Sequence, residues 1–262
     1  MAPRPLSLLL ALPLPALLLG AQLDLKVTEN GYLDAQGFSV ILYHSTFSRM
    51  FFDQKNTAME MILHGRRIAT NGDVRLLPTP EQWDPIPQLK SRNADRQGRR
   101  LTADAGYPEY GFFYRLEVTA EPDGVRVAVI LDKPLPERLA GRAGFNLEFL
   151  PAIYAGKAYM ADGATGFFPV SPRDPAVSVP PPPGEPARLE YQEEWDREKG
   201  YRQPLPFASG KSITLGVDEP QFRVRVVSDT GPMSLYDGRV LAQNGWFVLR
   251  SLLPANKTGE VV

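Results

Sequence analysis

The stretch Tyr114-Arg115-Leu116-Glu117-Val118-Thr119-Ala120-Glu121-Pro122-Asp123-Gly124-Val125-Arg126-Val127-Ala128-Val129-Ile130-Leu131 decides how this chain folds. Tyr114, Leu116 and Val118 recur at every second position, and beyond Glu121-Pro122-Asp123-Gly124 the residues Val125, Val127, Val129 and Leu131 do the same. A period of two places one set of side chains on one face of a strand, and Pro-Asp-Gly supplies the reversal between two such strands. The segment predicts an antiparallel hairpin.

The pattern extends outward in both directions. Leu23, Leu25 and Val27 alternate with Asp24, Lys26 and Thr28 ahead of Asn30-Gly31, the commonest tight hairpin signal. Phe38 to Tyr43 is a nearly unbroken apolar run, Met59, Met61 and Leu63 alternate with Glu60, Ile62 and His64, and Asn71-Gly72 reads as another turn. Further on, Phe222, Val224 and Val226 alternate with Arg223 and Arg225, Asp237-Gly238 and Asn244-Gly245 mark turns, and Trp246 to Leu253 reads as a strand. Helix signals are sparse: Glu185 to Lys199 carries only a partial apolar stripe at Leu189, Tyr191 and Trp195, enough for a short surface helix. With 26 Pro and 22 Gly punctuating 262 residues, the expectation is an all-β chain with few short helices. The expected architecture is a large antiparallel β-sandwich, for which a mutarotase-like supersandwich is one candidate form.

Composition narrows the chemistry. The formal charge is −1, from 29 basic and 30 acidic side chains, which implies no basic face for a nucleic-acid backbone. Zero Cys removes disulfides, thiolate metal sites and cysteine nucleophiles, and two His, His44 and His64, give little to a histidine metal site. No cofactor or metal is implied. Residues 1–21 read as a secretory signal: Arg4 precedes the apolar run Leu6 to Gly20. That run of about 15 residues falls short of the roughly 20 that cross a bilayer, and Pro13 and Pro15 interrupt it, so no membrane span is expected. The mature chain, 22–262, reads as one β-sandwich domain, secreted or periplasmic, with a proline-rich loop near 175–205 around Pro180 to Pro183. Gly259-Glu260-Val261-Val262 reads as the opening of a strand, so the polypeptide is expected to continue.

Candidate functional residues fall in two segments. Residues 69–85 read as a loop that gathers Asp73, Glu81, Trp83 and Asp84. Carbohydrate is held by such sets, because an indole stacks on the apolar face of a pyranose and carboxylates take its hydroxyls. The competing reading makes Trp83 a core plug. In the second segment, Gly144-Phe145-Asn146-Leu147-Glu148-Phe149, alternation puts Asn146 and Glu148 on one face, which either looks into a groove together with Asp162 or is solvated. His44 and His64 each follow an apolar strand with no partner marked nearby, and Asn256-Lys257-Thr258 fits a glycosylation acceptor pattern. Asp104-Ala105-Gly106-Tyr107 is one residue away from a paired-aspartate motif, but Tyr107 stands where the second carboxylate would be.

The ordered segments TNGDVRL (70–76), PTPEQWDP (78–85), LDKPLP (131–136), GFNLEF (144–149), DGATGFFP (162–169) and NGWFVLR (244–250) resemble the N-terminal β-rich region of bacterial secreted family-nine glycoside hydrolases, which include cellulases and endoglucanases. The resemblance implies a non-catalytic β-sandwich module of an enzyme acting on plant-type polysaccharide of the β-glucan or cellulose class. Its partners would be a polysaccharide or oligosaccharide and a following catalytic domain in the same chain. Two other readings stay open: a stand-alone carbohydrate-active enzyme that uses carboxylate or His acid–base chemistry on a mutarotase-like or lyase-like sandwich, and a periplasmic scaffold or interaction protein.

Overall fold

A computed structural model describes residues 23–44, 58–78, 85–172, 176–179, 201–240 and 245–262. The predicted signal segment, the 185–199 helix, the Pro180 to Pro183 run and the Asn244 turn position lie outside the described residues. The first five strands are β1 (Lys26–Val27), β2 (Leu33–Ala35), β3 (Phe38–Leu42), β4 (Met59–Leu63) and β5 (Arg66–Arg75). Then come β6 (Gln88–Asp95), β7 (Arg100–Tyr107), β8 (Phe112–Glu121), β9 (Gly124–Leu131), β10 (Gly144–Phe149), β11 (Ala158–Ala161) and β12 (Ala164–Phe167). The remainder are β13 (Ala176–Val179), β14 (Tyr201–Pro204), β15 (Ala208–Gly210), β16 (Ser212–Leu215), β17 (Val224–Val227), β18 (Met233–Asp237), β19 (Phe247–Leu252) and β20 (Gly259–Glu260).

Every pairing between these strands is antiparallel, and the chain is an all-β sandwich. One layer is a nine-stranded sheet in the order β1-β2-β3-β4-β5-β10-β19-β18-β15. Against it pack a five-stranded sheet, β20-β9-β8-β7-β6, and a four-stranded sheet, β12-β11-β16-β17, while β13 and β14 form a separate ribbon. The 114–131 hairpin forms as its sequence dictates. Glu121 pairs with Gly124 around Pro122-Asp123, Leu116, Val118 and Val129 are wholly buried, and Tyr114 and Leu131 are nearly so. These side chains share one core with Leu33, Val40 and Leu42 of the large sheet. Burying an aliphatic side chain of this kind contributes about 1.5–3 kcal/mol. Where the four-stranded sheet meets the large one, the ring of Phe168 lies 4.7 Å from that of Phe247.

Asn71-Gly72 does not make the turn that its sequence signals. Both residues lie inside β5, and the left-handed backbone of Asn71, φ 52°, is absorbed as an irregularity where the pairing register with β10 and with β4 shifts. Gly72 is required there because a Cβ would lie 2.7 Å from the Cβ of Met59. The stretch 69–75, read above as loop, is therefore the buried half of a long strand. Asp237-Gly238 leads from β18 into a 3-10 turn, Gly238–Val240. Among the described residues helix is limited to short turns, the α-helical one being Pro151–Tyr154. No described helix is long and apolar enough to cross a membrane.

Candidate functional site

Strand β10 lies between β5 and β19, and its alternate residues build two very different places. Asn146 and Glu148 are wholly buried, neither facing a groove nor solvated as their alternation alone allowed, because the face of this central strand that carries them is covered. Asn146 pairs across the sheet with Asp73 on one side and Arg250 on the other. Its amide donates to the carbonyl oxygens of Leu77 (3.2 Å) and Pro78 (2.9 Å), and its carbonyl accepts from the Arg250 guanidinium. Arg250 also donates to Leu77 O at 2.8 Å and to Arg142 O. Burial brings its pKa down to about 10. Gly144 makes room for it, since a Cβ there would lie 2.9 Å from Arg250 Cζ.

Asp73 is the centre of this cluster and is 0% exposed. Its carboxylate accepts from the Tyr43 hydroxyl, from the Tyr114 hydroxyl at 2.5 Å and from the Val74 amide at 2.8 Å. Burial raises its pKa, opposed by the Arg75 charge and these hydrogen bonds. Burial together with the Asp73 charge pushes both Tyr43 and Tyr114 well above the usual phenol value. Burial also pulls at the Arg75 charge, but Asp73 and Glu148 outweigh it and hold the guanidinium ionised. Asn71 donates to Glu148 Oε2 at 2.5 Å, and Tyr107 donates to Val74 O at 2.9 Å. The result is a polar network closed to solvent, with both charge signs present.

Of the sequence-predicted sugar contacts, Asp73 is therefore sealed, and Glu81, Trp83 and Asp84 lie outside the described residues. Asp162 is exposed in the β11–β12 turn, where its carboxylate accepts from the backbone amides of Lys211 (2.9 Å) and Ser212 (2.8 Å). Those bonds lower its pKa. It sits on the four-stranded sheet, whereas Asp73 sits on the large one, so the fold does not bring the two together. Asp104 of the near-miss tetrad accepts from Ser91 (2.7 Å) and Arg115 (2.8 Å) on the outer face of β7, while Tyr107 points into the core. Arg75, Arg250 and the three tyrosines were missed by the sequence reading. The available signal was an arginine inside an apolar strand, Phe247-Val248-Leu249-Arg250, which demands buried acceptors.

The other residues of β10, Phe145 and Leu147, line an open cleft of about 590 Å³. Its floor is apolar, with Met59, Met61, Met233 and Leu249 beside them. One wall is the turn and first half of β9, Glu121 to Val127, together with Glu260 and Val262, and the other is β17 with its flanks, Arg223 to Thr230. His64, exposed and at φ 49°, sits on the rim, while exposed His44 does not line the cleft. Arg126 is engaged by Glu260 at 2.9 Å, and the other rim carboxylates, Glu121, Asp123 and Asp229, make no ion pair among the described residues. Among the described residues no cluster of His, Asp and Glu is arranged to hold a metal. Compared with models of known protein families, with curated proteins and with solved structures, the chain gives no match.

Proposed function

We propose that this chain is a non-catalytic β-sandwich module of a secreted polysaccharide-degrading enzyme, working by contact rather than by bond cleavage. The observation that carries the reading is where the carboxylates sit. Glycoside hydrolysis uses two carboxyl groups facing an accessible bond, about 5–5.5 Å apart for retention or 6.5–9.5 Å for inversion, and one of them is held protonated by an apolar pocket. Of the buried carboxylates, Asp73 and Glu148 are enclosed with Tyr43, Tyr114, Asn71 and Arg75, while Glu60, whose pKa burial raises, is paired with Arg67 at 2.9 Å and Asp237 with Arg239 at 2.8 Å. Asp104 and Asp162 hold strands and turns together. Asp123, Asp229 and Glu260 stand exposed at the cleft rim, without the apolar enclosure that makes a general acid at neutral pH.

The resemblance of six ordered segments to the β-rich region of family-nine enzymes supplies the polysaccharide class, and Glu81, Trp83 and Asp84 are the sugar contacts to test. The experiment is retention of the purified 22–262 chain on cello-, xylo- and manno-oligosaccharide affinity gels, with hydrolysis of the same sugars followed in parallel. Retention that Trp83→Ala abolishes, without turnover, is the expected result. Turnover that disappears on substituting a rim carboxylate would replace this reading with the stand-alone enzyme, and absence of retention removes the sugar-binding role.

A further inference from the structure

We infer that the cleft is a slot for one extended polypeptide strand supplied by a partner protein, which would add to the free edge of β9 and run alongside the free edge of β17. The inference does not depend on the polysaccharide reading. Consecutive residues of a strand point to opposite faces, so Val125, Arg126 and Val127 together, and Arg225, Val226 and Val227 together, line one cleft only if it meets each strand at its edge.

The hydrogen bonds identify which groups stand on those edges. The Val129 amide donates to Val262 O and its carbonyl accepts from the Val261 amide, both at 2.9 Å, on the side of β9 away from β8. In an antiparallel ladder the backbone groups of every second residue point the same way, so the N–H and C=O of Val127 and Val125 project outward too. The Ser228 amide donates to Lys211 O at 2.8 Å, toward β16, which turns Val226 and Val224 inward to β16 and leaves Arg225 and Val227 with outward backbone groups. Among the described residues, none of these four outward pairs of groups has a hydrogen-bond partner.

The layer opposite the nine-stranded sheet is thus interrupted between β9 and β17. An added strand is a recognised way to fill such a gap, with main-chain bonds supplying affinity and alternate side chains entering pockets. Among the described residues β20 and the two residues after it pair with β9 from Leu131 to Val129, so the guest continues an existing ladder. Running in the same direction as β20, it brings its C-terminal end to the turn that carries Glu121 and Asp123. Its chemistry follows: apolar side chains at alternate positions against Phe145, Leu147 and Leu249, and basic residues at its C-terminal end.

The test uses the full chain and a capped synthetic peptide of about eight residues that alternates threonine and valine and ends in two lysines. Amide hydrogen exchange at Val125, Val127, Arg225 and Val227 is expected to be fast in the free protein and to slow by at least about tenfold with peptide. Val127→Pro, which removes an outward donor that β8 does not use, should weaken binding by about tenfold or more with the fold intact. The same peptide N-methylated at alternate amides removes the pairing without altering the protein, and should fail to bind. Binding that survives both changes, equal binding of a peptide with its valines clustered, no binding at millimolar peptide, or protection of these amides before peptide is added would each overturn the inference.

Discussion

The two faces of β10 invert the usual division of labour in a sandwich. Asn146 and Glu148 point into a sealed network with Asp73, Arg75 and Arg250, while Phe145 and Leu147, one residue away, line the open cleft. The polar groups are enclosed, while Phe145 on the apolar face is only half-buried. Each place is stable for a different reason. In the sealed cluster, hydrogen bonds and opposite charges offset the loss of water, so removing one member strands the others. In the cleft, the apolar floor is backed by core on its far side, and its exposed part is surface that a partner can cover.

The strongest way to break this contrast is Arg75→Ala. It leaves Asp73 and Glu148 in the core without the cation that stabilises them, and a loss of about 3–5 kcal/mol is expected from urea unfolding at neutral pH. A loss under about 1 kcal/mol would show that water reaches the cluster, and the contrast between sealed and open would fall.

A second test turns on the sign of the Asp73 shift. Burial raises its folded pKa above the unfolded value near 3.9, so the folded state holds this proton more tightly. The associated stability is full below the unfolded value and is lost as pH rises through the folded one. Asp73→Asn keeps a carbonyl oxygen for the Tyr114 hydroxyl and the Val74 amide, turns an amide toward the Tyr43 oxygen, which accepts it, and has no proton to lose, so its unfolding midpoint should be flatter with pH over the acid range than that of the parent. Equal slopes would mean that Asp73 binds its proton equally in the folded and unfolded states, so that burial shifts nothing.

How much of this was legible follows from which signals are local. The β8–β9 hairpin was readable because alternation and turn chemistry agree over eighteen consecutive residues, Tyr114 to Leu131. Asn71-Gly72 misled because a dipeptide suited to a turn is equally suited to a bulge, and the choice depends on β4 and β10 pairing on either side. The sealed cluster needed knowledge that β5, β10 and β19 are neighbours, which no local pattern encodes: Asp73 meets Tyr114 across 41 positions and Arg250 meets Asn146 across 104. The cleft was invisible for the same reason, since its walls come from Val125 and Val226, in separate sheets.

A third test sharpens the open side. Phe145 is half-buried on the cleft floor, so Phe145→Ala removes contacts on one side of the ring while the rest already faces the cleft. The expected cost is about 1–2 kcal/mol, below the 3–5 kcal/mol typical of an enclosed aromatic. A full core-sized loss would mean that the floor is closed in solution.

The smallest effect belongs to the outer face of the five-stranded sheet, where alternation works in the ordinary sense. Ala103 and Leu116 face inward there, and the neighbouring cross-strand pair Asp104 and Arg115 faces out. The pair is charged, like Asp73 with Arg75, but its side chains are 37% and 52% exposed. Water therefore screens what the core does not. The hydrogen bond from Arg115 holds the Asp104 carboxyl below the usual range, with Ser91 adding to it. A lowered folded pKa gives stability that is present above the unfolded value near 3.9 and is lost as pH falls through the folded one, the reverse of Asp73. Exposed pairs of this kind contribute up to about 1 kcal/mol, so Asp104→Asn should move the unfolding midpoint slightly at neutral pH and not at all once the parent carboxyl is protonated. Added salt should shrink the difference further, whereas the loss in Arg75→Ala should be nearly indifferent to salt. An Asp104→Asn loss as large and as salt-independent as that of Arg75→Ala would show that exposure is not what separates the two ion pairs.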